Sequence, residues 1–284
     1  MERLSDIGTI KEILSKHGFS FSKGLGQNFL INPSVCPRMA EMSGAGEKVG
    51  VIEIGPGIGV LTNELCKLAE KVVAIEIDKR LIPVLSETLS DYDNVKVINE
   101  DVLKIDLNKL IEEEFNGMKV VVCANLPYYI TSPIIMKLLE ENLPIEAITV
   151  MVQKETAQRM CAEVGTRQSG AVTVAVNYYS KPEILFNVSA GSFMPAPKVD
   201  SAVIKLNVFD KPAVQVQDSK MFFKVVKSAF GQRRKTLPNS LSSGLGISKS
   251  EINNLLSECG ISLTARAEQL KLEDFKNIAD KIQG

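Results

Sequence analysis

Residues 120–133 read VVVCANLPYYITSP. Small and apolar residues run straight into Asn125-Leu126-Pro127-Tyr128-Tyr129, so an amide, a proline and two phenols stand at the end of a core strand. Those residue types in that order suit one chemistry. The amine of a nucleobase is a poor nucleophile, because its lone pair is delocalised into the ring. Two oxygen acceptors holding its hydrogens favour a more pyramidal nitrogen and take up the positive charge that develops as it attacks. The side-chain oxygen of Asn125 and the carbonyl of Leu126 can form that pair. Pro127 holds Leu126 extended and offers no competing N–H. Tyr128 supplies a stacking face for a base that has left its helix or loop. The plainer alternative is a proline turn with a polar cap.

A second constellation is VIEIGPGIGVLT, residues 51–62. Gly55, Gly57 and Gly59 between a strand and its helix permit a tight turn and let a ligand approach the backbone near the positive helix end. Glu76 lies 21 residues beyond Gly55, at the end of the next strand. A carboxylate there can accept both hydroxyl protons of an adenosine ribose. Asp101, in INEDVL, ends the third strand and can accept from the exocyclic amine of an adenine. Read singly, Glu76 is equally a surface residue and Asp101 a turn cap.

Two details count against a nicotinamide cofactor and a dehydrogenase. Position 60 is Val, where the G-x-G-x-x-G fingerprint takes Gly or Ala. The only histidine, His17, lies far from these strands, so the commonest general acid–base is not at hand. S-adenosylmethionine needs no such group: its leaving thioether departs neutral, and transfer asks for in-line positioning of the nucleophile.

The elements that must hold these residues follow from periodicity. Strand-like runs VGVIEIG, KVVAIEID, VKVINED, KVVVCAN and AITVMVQK alternate with helical patterns VLTNELCKLAE, KRLIPVLSETLS, LNKLIEEEF and SPIIMKLLEENL. Continuous Val/Ile strands alternating with helices predict an α/β fold, a Rossmann-like, mostly parallel sheet buried on both faces. Upstream, a helix is expected over MERLSDIGTIKEILSKHG, a loop over GFSFSKGLGQNFLINPSV, and a helix over PSVCPRMAEMSG with Pro33 at an early helical position. QKETAQRMCAEVG and SGAVTVAVNYYS read as helical. KPEILFNV and SAVIKLNVF read as a late strand pair that closes the sheet with an antiparallel edge. After DKPAVQVQDSK only helical patterns follow: KMFFKVVKSAF, RRKTLPNSL, SKSEINNLLSECG and KLEDFKNIADKIQ. The expected division is therefore 1–210, a catalytic domain, and 211–284, a small all-α domain.

Bulk composition narrows the class. At 284 residues, 45% hydrophobic and 24% charged, the chain has the make-up of a globular protein with one large and one small domain. No apolar run approaches the roughly 20 residues a bilayer requires, and the N-terminal pattern lacks a secretory core; no membrane partner and a cytoplasmic location are expected. The cysteines (Cys36, Cys66, Cys123, Cys161, Cys259) are scattered without a C-x-x-C pair, so neither a metal nor a disulfide framework is expected. Charge is uneven. Residues 211–284 hold 12 basic and 7 acidic side chains, a balance of +5, whereas residues 1–210 stand at −6. An anionic partner would meet the C-terminal part; a solvated helical surface is the alternative.

Five motifs in order and spacing, GQNFL, EIGPGIGVLT, NLPYYITSP, SFMPAPKVDSAV and GQRRKTLPNSL, resemble the rRNA adenine N6-dimethyltransferases. The likeness spans roughly residues 20–245 and is nearest to the type acting on small-subunit rRNA. It implies S-adenosyl-L-methionine as cofactor, contacted by Asn28, Leu30, Gly55, Gly57, Glu76, Asp101, Val102 and Asn125. It implies Asn125, Leu126, Pro127 and Tyr128 at the chemical centre, with Phe193 a second aromatic against the target adenine, opposite Tyr128. It further implies rRNA backbone contact by Arg233, Arg234 and Lys235. The expected reaction is dimethylation of N6 on two adjacent adenines near the 3′ end of 16S rRNA, inside the 30S subunit or its precursor, by a monomer. The rivals are a 23S rRNA adenine methyltransferase of the same fold giving macrolide-type resistance, and a non-catalytic ribosome assembly factor.

Overall fold

The structure is a computed structural model that describes residues 4–19 and 28–283. Residues 20–27 of the expected loop GFSFSKGLGQNFLINPSV lie outside the described residues. The chain divides into two units: Met1–Ala157 with Glu183–Val208, and Gln158–Pro182 with Phe209–Gly284.

The first unit is built on β2 (Val49–Ile54), β3 (Lys71–Glu76), β4 (Val95–Asn99), β5 (Lys119–Asn125) and β6 (Ala147–Gln153), the five strands the Val/Ile runs predict. Two further strands, β7 (Ser180–Val188) and β9 (Ser201–Val208), complete a seven-stranded sheet of order β4-β3-β2-β5-β6-β9-β7. Neighbours from β4 to β6 are parallel, and β9 runs antiparallel to β6. The expected mostly parallel sheet with a late antiparallel addition is what forms.

The strand order fixes where a ligand can sit. From β2 the chain moves outward through β3 and β4, then returns to place β5 on the other side of β2. The two connections diverge there, so the carboxyl ends of β2 and β5 flank the switch-point crevice in which open α/β sheets bind ligands.

Helices α2 (Val35–Ser43) and α3 (Val60–Cys66) bury Met39, Ala40 and Leu65 with Val51, Val121 and Cys123 of the sheet. Helix α5 (Leu107–Phe115) anchors Phe115, fully buried, on β2 at Gly50; a Cβ there would lie 2.1 Å from the ring. Burying such a ring stabilises by about 1.5–3 kcal/mol, and the missing side chain of Gly50 makes the room. Helix α1 (Ile7–Lys16) packs Ile10 and Leu14 against Val84 and Leu85 of α4 (Ile82–Thr88). Its end is tied to α4 by Lys16 and His17, 2.7 and 2.8 Å from Glu87.

Three details depart from the sequence reading. Pro33 lies outside α2, whose N-cap is Ser34. The pattern KRLIPVLSETLS splits into a 3₁₀ turn (Lys79–Leu81) and α4, with Pro83 in the first turn of α4. The motif GQNFL, expected as loop, ends in a two-residue strand β1 (Phe29–Leu30) paired antiparallel with β8 (Phe193–Met194).

The second unit is not divided from the first by a single break near residue 210. It also takes in α8 (Ala171–Tyr179), because Val174 and Tyr178 belong to its core with Phe222, Val225, Leu237, Ile252 and Phe275. Tyr178 stacks on Phe222 at 4.9 Å. Its other helices are α9 (Ser219–Phe230), α10 (Leu237–Leu245), α11 (Lys249–Glu258) and α12 (Leu272–Gln283). In the first unit α6 (Thr131–Glu140) follows β5, and α7 (Lys154–Met160) follows β6. The run RRKTLPNSL is helical only from Leu237. Pro238 explains the late start, since its ring clashes with a helical carbonyl four residues back, at Arg234. Arg233, Arg234 and Lys235 therefore stand exposed on the turn between α9 and α10.

Among the described residues no helix is long and apolar enough to cross a membrane, and no group of three or more His, Cys, Asp or Glu could hold a metal ion.

Candidate active site

A cavity opens where the switch point predicts. From the first sequence constellation it is lined by Asn125, Leu126, Pro127 and Tyr128; from the second by Gly55, Gly57 and Glu76; and from GQNFL by Asn28 and Leu30. Nine of the expected site residues thus share one wall.

The glycine turn needs its glycines. Gly55, Gly57 and Gly59 have φ of +70°, +62° and +89°, a region L side chains disfavour. A Cβ on Gly57 would lie 3.2 Å from the Phe29 ring. The turn is fixed to the next strand by Glu76, whose Oε2 accepts from Gly57 N–H at 3.3 Å and Oε1 from Asp78 N–H at 2.7 Å. Glu76 is 4% exposed. Burial pushes its carboxyl above the ordinary value, and these two N–H donors partly offset that.

The NLPY turn is held with equal economy, but its working groups are left open. Asn125 is the last residue of β5, paired with Met151 of β6, and the Leu126 N–H extends that ladder to the Met151 carbonyl at 3.3 Å. The Pro127 carbonyl accepts from Ile130 N–H and Thr131 O–H, both at 3.2 Å, closing the turn into α6. The Tyr128 hydroxyl is 2.6 Å from Ser201 Oγ at the start of β9, and burial raises its pKa. Among the described residues, no protein group hydrogen-bonds the Asn125 amide or the Leu126 carbonyl. Half-buried polar groups normally find partners, since leaving one unpaired costs about 1–3 kcal/mol. Here two such groups face one cavity.

Six expected site residues stand elsewhere. Phe193 is no wall of the cavity: its pairing with Leu30 across β1 and β8 seats the ring, 3% exposed, in the core with Val35, Met39 and Val203. Asp101 and Val102 do not line the cavity either. Asp101 closes its own turn, accepting from Leu103 N–H at 3.0 Å with Lys104 Nζ at 3.6 Å, and Val102 is buried. Arg233, Arg234 and Lys235 lie on the surface of the second unit, where Arg233 reaches the Arg167 carbonyl at 3.4 Å.

Among the wall residues that the sequence reading did not assign, two bear on the chemistry. Glu53, next to last in β2, is 1% exposed and its Oε2 has no hydrogen-bond partner. Burial pushes its carboxyl up to about 8, the Thr62 hydroxyl acting against that rise and the nearby Glu76 charge adding to it. The signal was present: a lone acid interrupts the apolar run VIEIG. Ile77, directly after Glu76, is 55% exposed and lines the same cavity. An apolar side chain left open there suits the face of a planar ring.

The site's chemistry fits a cationic nucleoside. Two buried carboxylates with raised pKa values gain from a bound positive charge, one has an unsatisfied oxygen, and a side-chain-free turn lies beside them. The NLPY turn adds two open acceptors and an aromatic wall.

Comparison with known proteins agrees with this chemistry. Residues 18–284 match the family model described as ribosomal RNA adenine dimethylase. A protein of Alkaliphilus oremlandii, Ribosomal RNA small subunit methyltransferase A, is 50% identical over 99% of both chains. Its namesake from Bacillus licheniformis is 50% identical over 96% of this chain and 95% of its own. Among solved structures, a dimethyladenosine transferase from Plasmodium falciparum superposes with a TM-score of 0.71 at 27% identity, covering 88% of this chain and 95% of its own. The 23S rRNA methyltransferase ErmE gives 0.68 at 27% identity, covering 90% and 100%.

Proposed function

The chain belongs to the ribosomal RNA adenine dimethylase family, and on that premise we propose that it transfers methyl groups from S-adenosylmethionine to N6 of two adjacent adenines near the 3′ end of 16S rRNA, within the small ribosomal subunit. The observation that carries the chemistry is the pair of acceptors without protein partners, Asn125 Oδ1 and Leu126 O, beside the glycine turn. The near-full-length 50% identity to small-subunit enzymes favours 16S over 23S rRNA, since the fold alone is shared with both kinds.

Bound in this cavity, S-adenosylmethionine supplies an electrophilic methyl on a sulfonium. Glu76 would hold the ribose hydroxyls, Glu53 would offset the cationic ammonium, and Ile77 would offer an apolar face to the adenine. Gly57 leaves room for the cofactor by having no side chain.

The target adenine enters from the NLPY side. Tyr128, steadied by Ser201, stacks on the base. Asn125 Oδ1 and Leu126 O would each accept one N6 hydrogen, which aims the lone pair and stabilises the charge that appears on N6 as the C–N bond forms and the methyl–sulfur bond breaks, its electron pair leaving with the neutral thioether. The extra proton then leaves N6 for water. After the first transfer one N6 hydrogen remains, so one acceptor still orients the amine for the second.

The test is direct. Unmodified 30S and 50S particles are incubated with labelled S-adenosylmethionine and the labelled nucleotide is mapped. Label on two adjacent 16S adenines supports the reading; label on 23S rRNA, or none, overturns it.

A further inference from the structure

The chain has five tyrosines, and four of them are spent on the protein itself. The Tyr92 hydroxyl donates to Asn63 Oδ1 at 2.9 Å, and the Tyr128 hydroxyl is bonded to Ser201. Tyr178 and Tyr179 stack on Phe222 and Phe223, with ring centroids 4.9 and 5.6 Å apart. Tyr129 differs. It lines the active-site cavity and yet is 60% exposed, so it stands at the mouth. Among the described residues its hydroxyl bonds no protein group and its ring packs on no other ring.

The backbone that carries this ring is fixed. The Pro127 carbonyl accepts from Ile130 N–H, which makes Tyr128 and Tyr129 the two central residues of one β-turn. A tyrosine has only two side-chain torsions, so ordering its ring against a ligand costs little entropy. The cavity's other aromatics have their places. Phe29 is buried beside Gly57 of the glycine turn, and Tyr128 is the wall for the target adenine. That adenine, in leaving its stack, uncovers a face of the base next to it. In a substrate of two adjacent adenines, the uncovered neighbour is a purine with a broad face to bury.

We propose that Tyr129 is the stacking platform for the adenine next to the target, holding it at the mouth while its partner is methylated inside. This rests on the reading of the chain as an enzyme of two adjacent adenines. The stack acts after the particle has docked, on the share of bound particles whose target base is flipped into the cavity. A single ring beside Tyr128 receives the neighbour from one side of the target only. Tyr129 therefore favours transfer to one adenine of the pair over the other.

The test is Tyr129→Ala with unmodified 30S particles, in single turnovers with labelled S-adenosylmethionine and the label counted separately at each adenine. Loss of one base–aromatic stack is expected to slow transfer to one adenine about tenfold, and to the other by no more than about threefold. Tyr129→Phe keeps the ring and is expected to keep the wild-type ratio; Tyr129→Leu is expected to behave as Tyr129→Ala. A wild-type ratio in Tyr129→Ala overturns the proposal and makes the ring a solvated side chain. Equal slowing at both adenines overturns it by placing the ring against the target base itself. Restoration by Tyr129→Leu, or failure of Tyr129→Phe, overturns it in favour of apolar bulk or of the hydroxyl. Calorimetry with S-adenosylhomocysteine is expected to give the wild-type affinity for Tyr129→Ala; a fall would assign the ring to the cofactor and overturn the proposal. Wild-type protein that labels no adjacent adenine pair sinks the functional reading, and the proposal with it. Normal labelling by wild type keeps the two failures apart.

Discussion

The two units hold their functional groups in opposite ways. In the first, polar groups are buried and left without partners: Glu53 Oε2 has none, and Asn125 and Leu126 face the cavity with open acceptors. In the second, charge is carried by side chains fully exposed on a turn and a helix face. Buried unpaired groups cost stability and gain geometric accuracy, which bond-making needs. Exposed cations cost little and act over a Debye length of about 8–10 Å, which suits a polyanion whose sequence they need not read. Changes in the first unit should therefore act on kcat and cofactor affinity, and changes in the second on KM and salt dependence.

The sharpest way to break this division is Asn125→Ala. Losing one of two preorganised acceptors is expected to lower kcat by roughly 10²–10³ while 30S particle binding stays within a few-fold of wild type, measured by single-turnover transfer and by sedimentation with particles. A loss confined to KM would move Asn125 to the recognition side.

Within the first unit, two acidic strand ends give the next contrast. Glu76 faces the cavity, whereas Asp101 is spent on its own turn. Calorimetry with S-adenosylhomocysteine is expected to show an affinity loss of about 30-fold or more for Glu76→Ala, since charged hydrogen bonds are worth about 1.5–3 kcal/mol. Asp101→Ala is expected to cost less than tenfold. Equal losses would restore Asp101 to the cofactor site.

Neutralising the basic turn, Arg233→Gln/Arg234→Gln/Lys235→Gln, probes the other side. KM for 30S particles should rise roughly tenfold and its salt slope should fall by about 2–3; cofactor affinity, read by the same calorimetry, should not move. A fall in cofactor affinity would erase the division of labour.

Glu53 gives the smallest and most diagnostic effect. Its folded pKa of about 8 stands above the ordinary 4.5, so the unfolded chain releases its proton first as pH rises. Folded stability should decline relative to Glu53→Gln from about pH 4.5 to pH 8 and level off above that. Thermal unfolding of both proteins without ligand should therefore converge near pH 4.5 and separate by several degrees by pH 8. Parallel curves would show that Glu53 ionises freely in the folded protein.

Much of this was legible in sequence because the pattern and the physics coincide. Continuous Val/Ile runs point to strands buried on both faces, and β2 to β6 appear where those runs lie, although β4, at the sheet edge, has no buried residue. The NLPY turn was readable because strand end, amide, proline and phenol are local. What was not readable depends on distant pairing. The β1–β8 ribbon brings Phe29–Leu30 to Phe193–Met194 across more than 160 residues, and that pairing is what takes Phe193 into the core. Similarly, α8 reads as helix from its own residues, but only Tyr178 stacked on Phe222 assigns it to the second unit. Asp101 shows a third limit: a short acid at a strand end serves a ligand or its own turn equally well on paper.

The central claim is geometric, and a crystal of the protein with S-adenosylhomocysteine and adenosine tests it most directly. The account expects the adenosine N6 within about 2.7–3.2 Å of both Asn125 Oδ1 and Leu126 O, with the base against Tyr128. An Asn125 amide bonded instead to protein groups, with the adenosine held elsewhere, would contradict it.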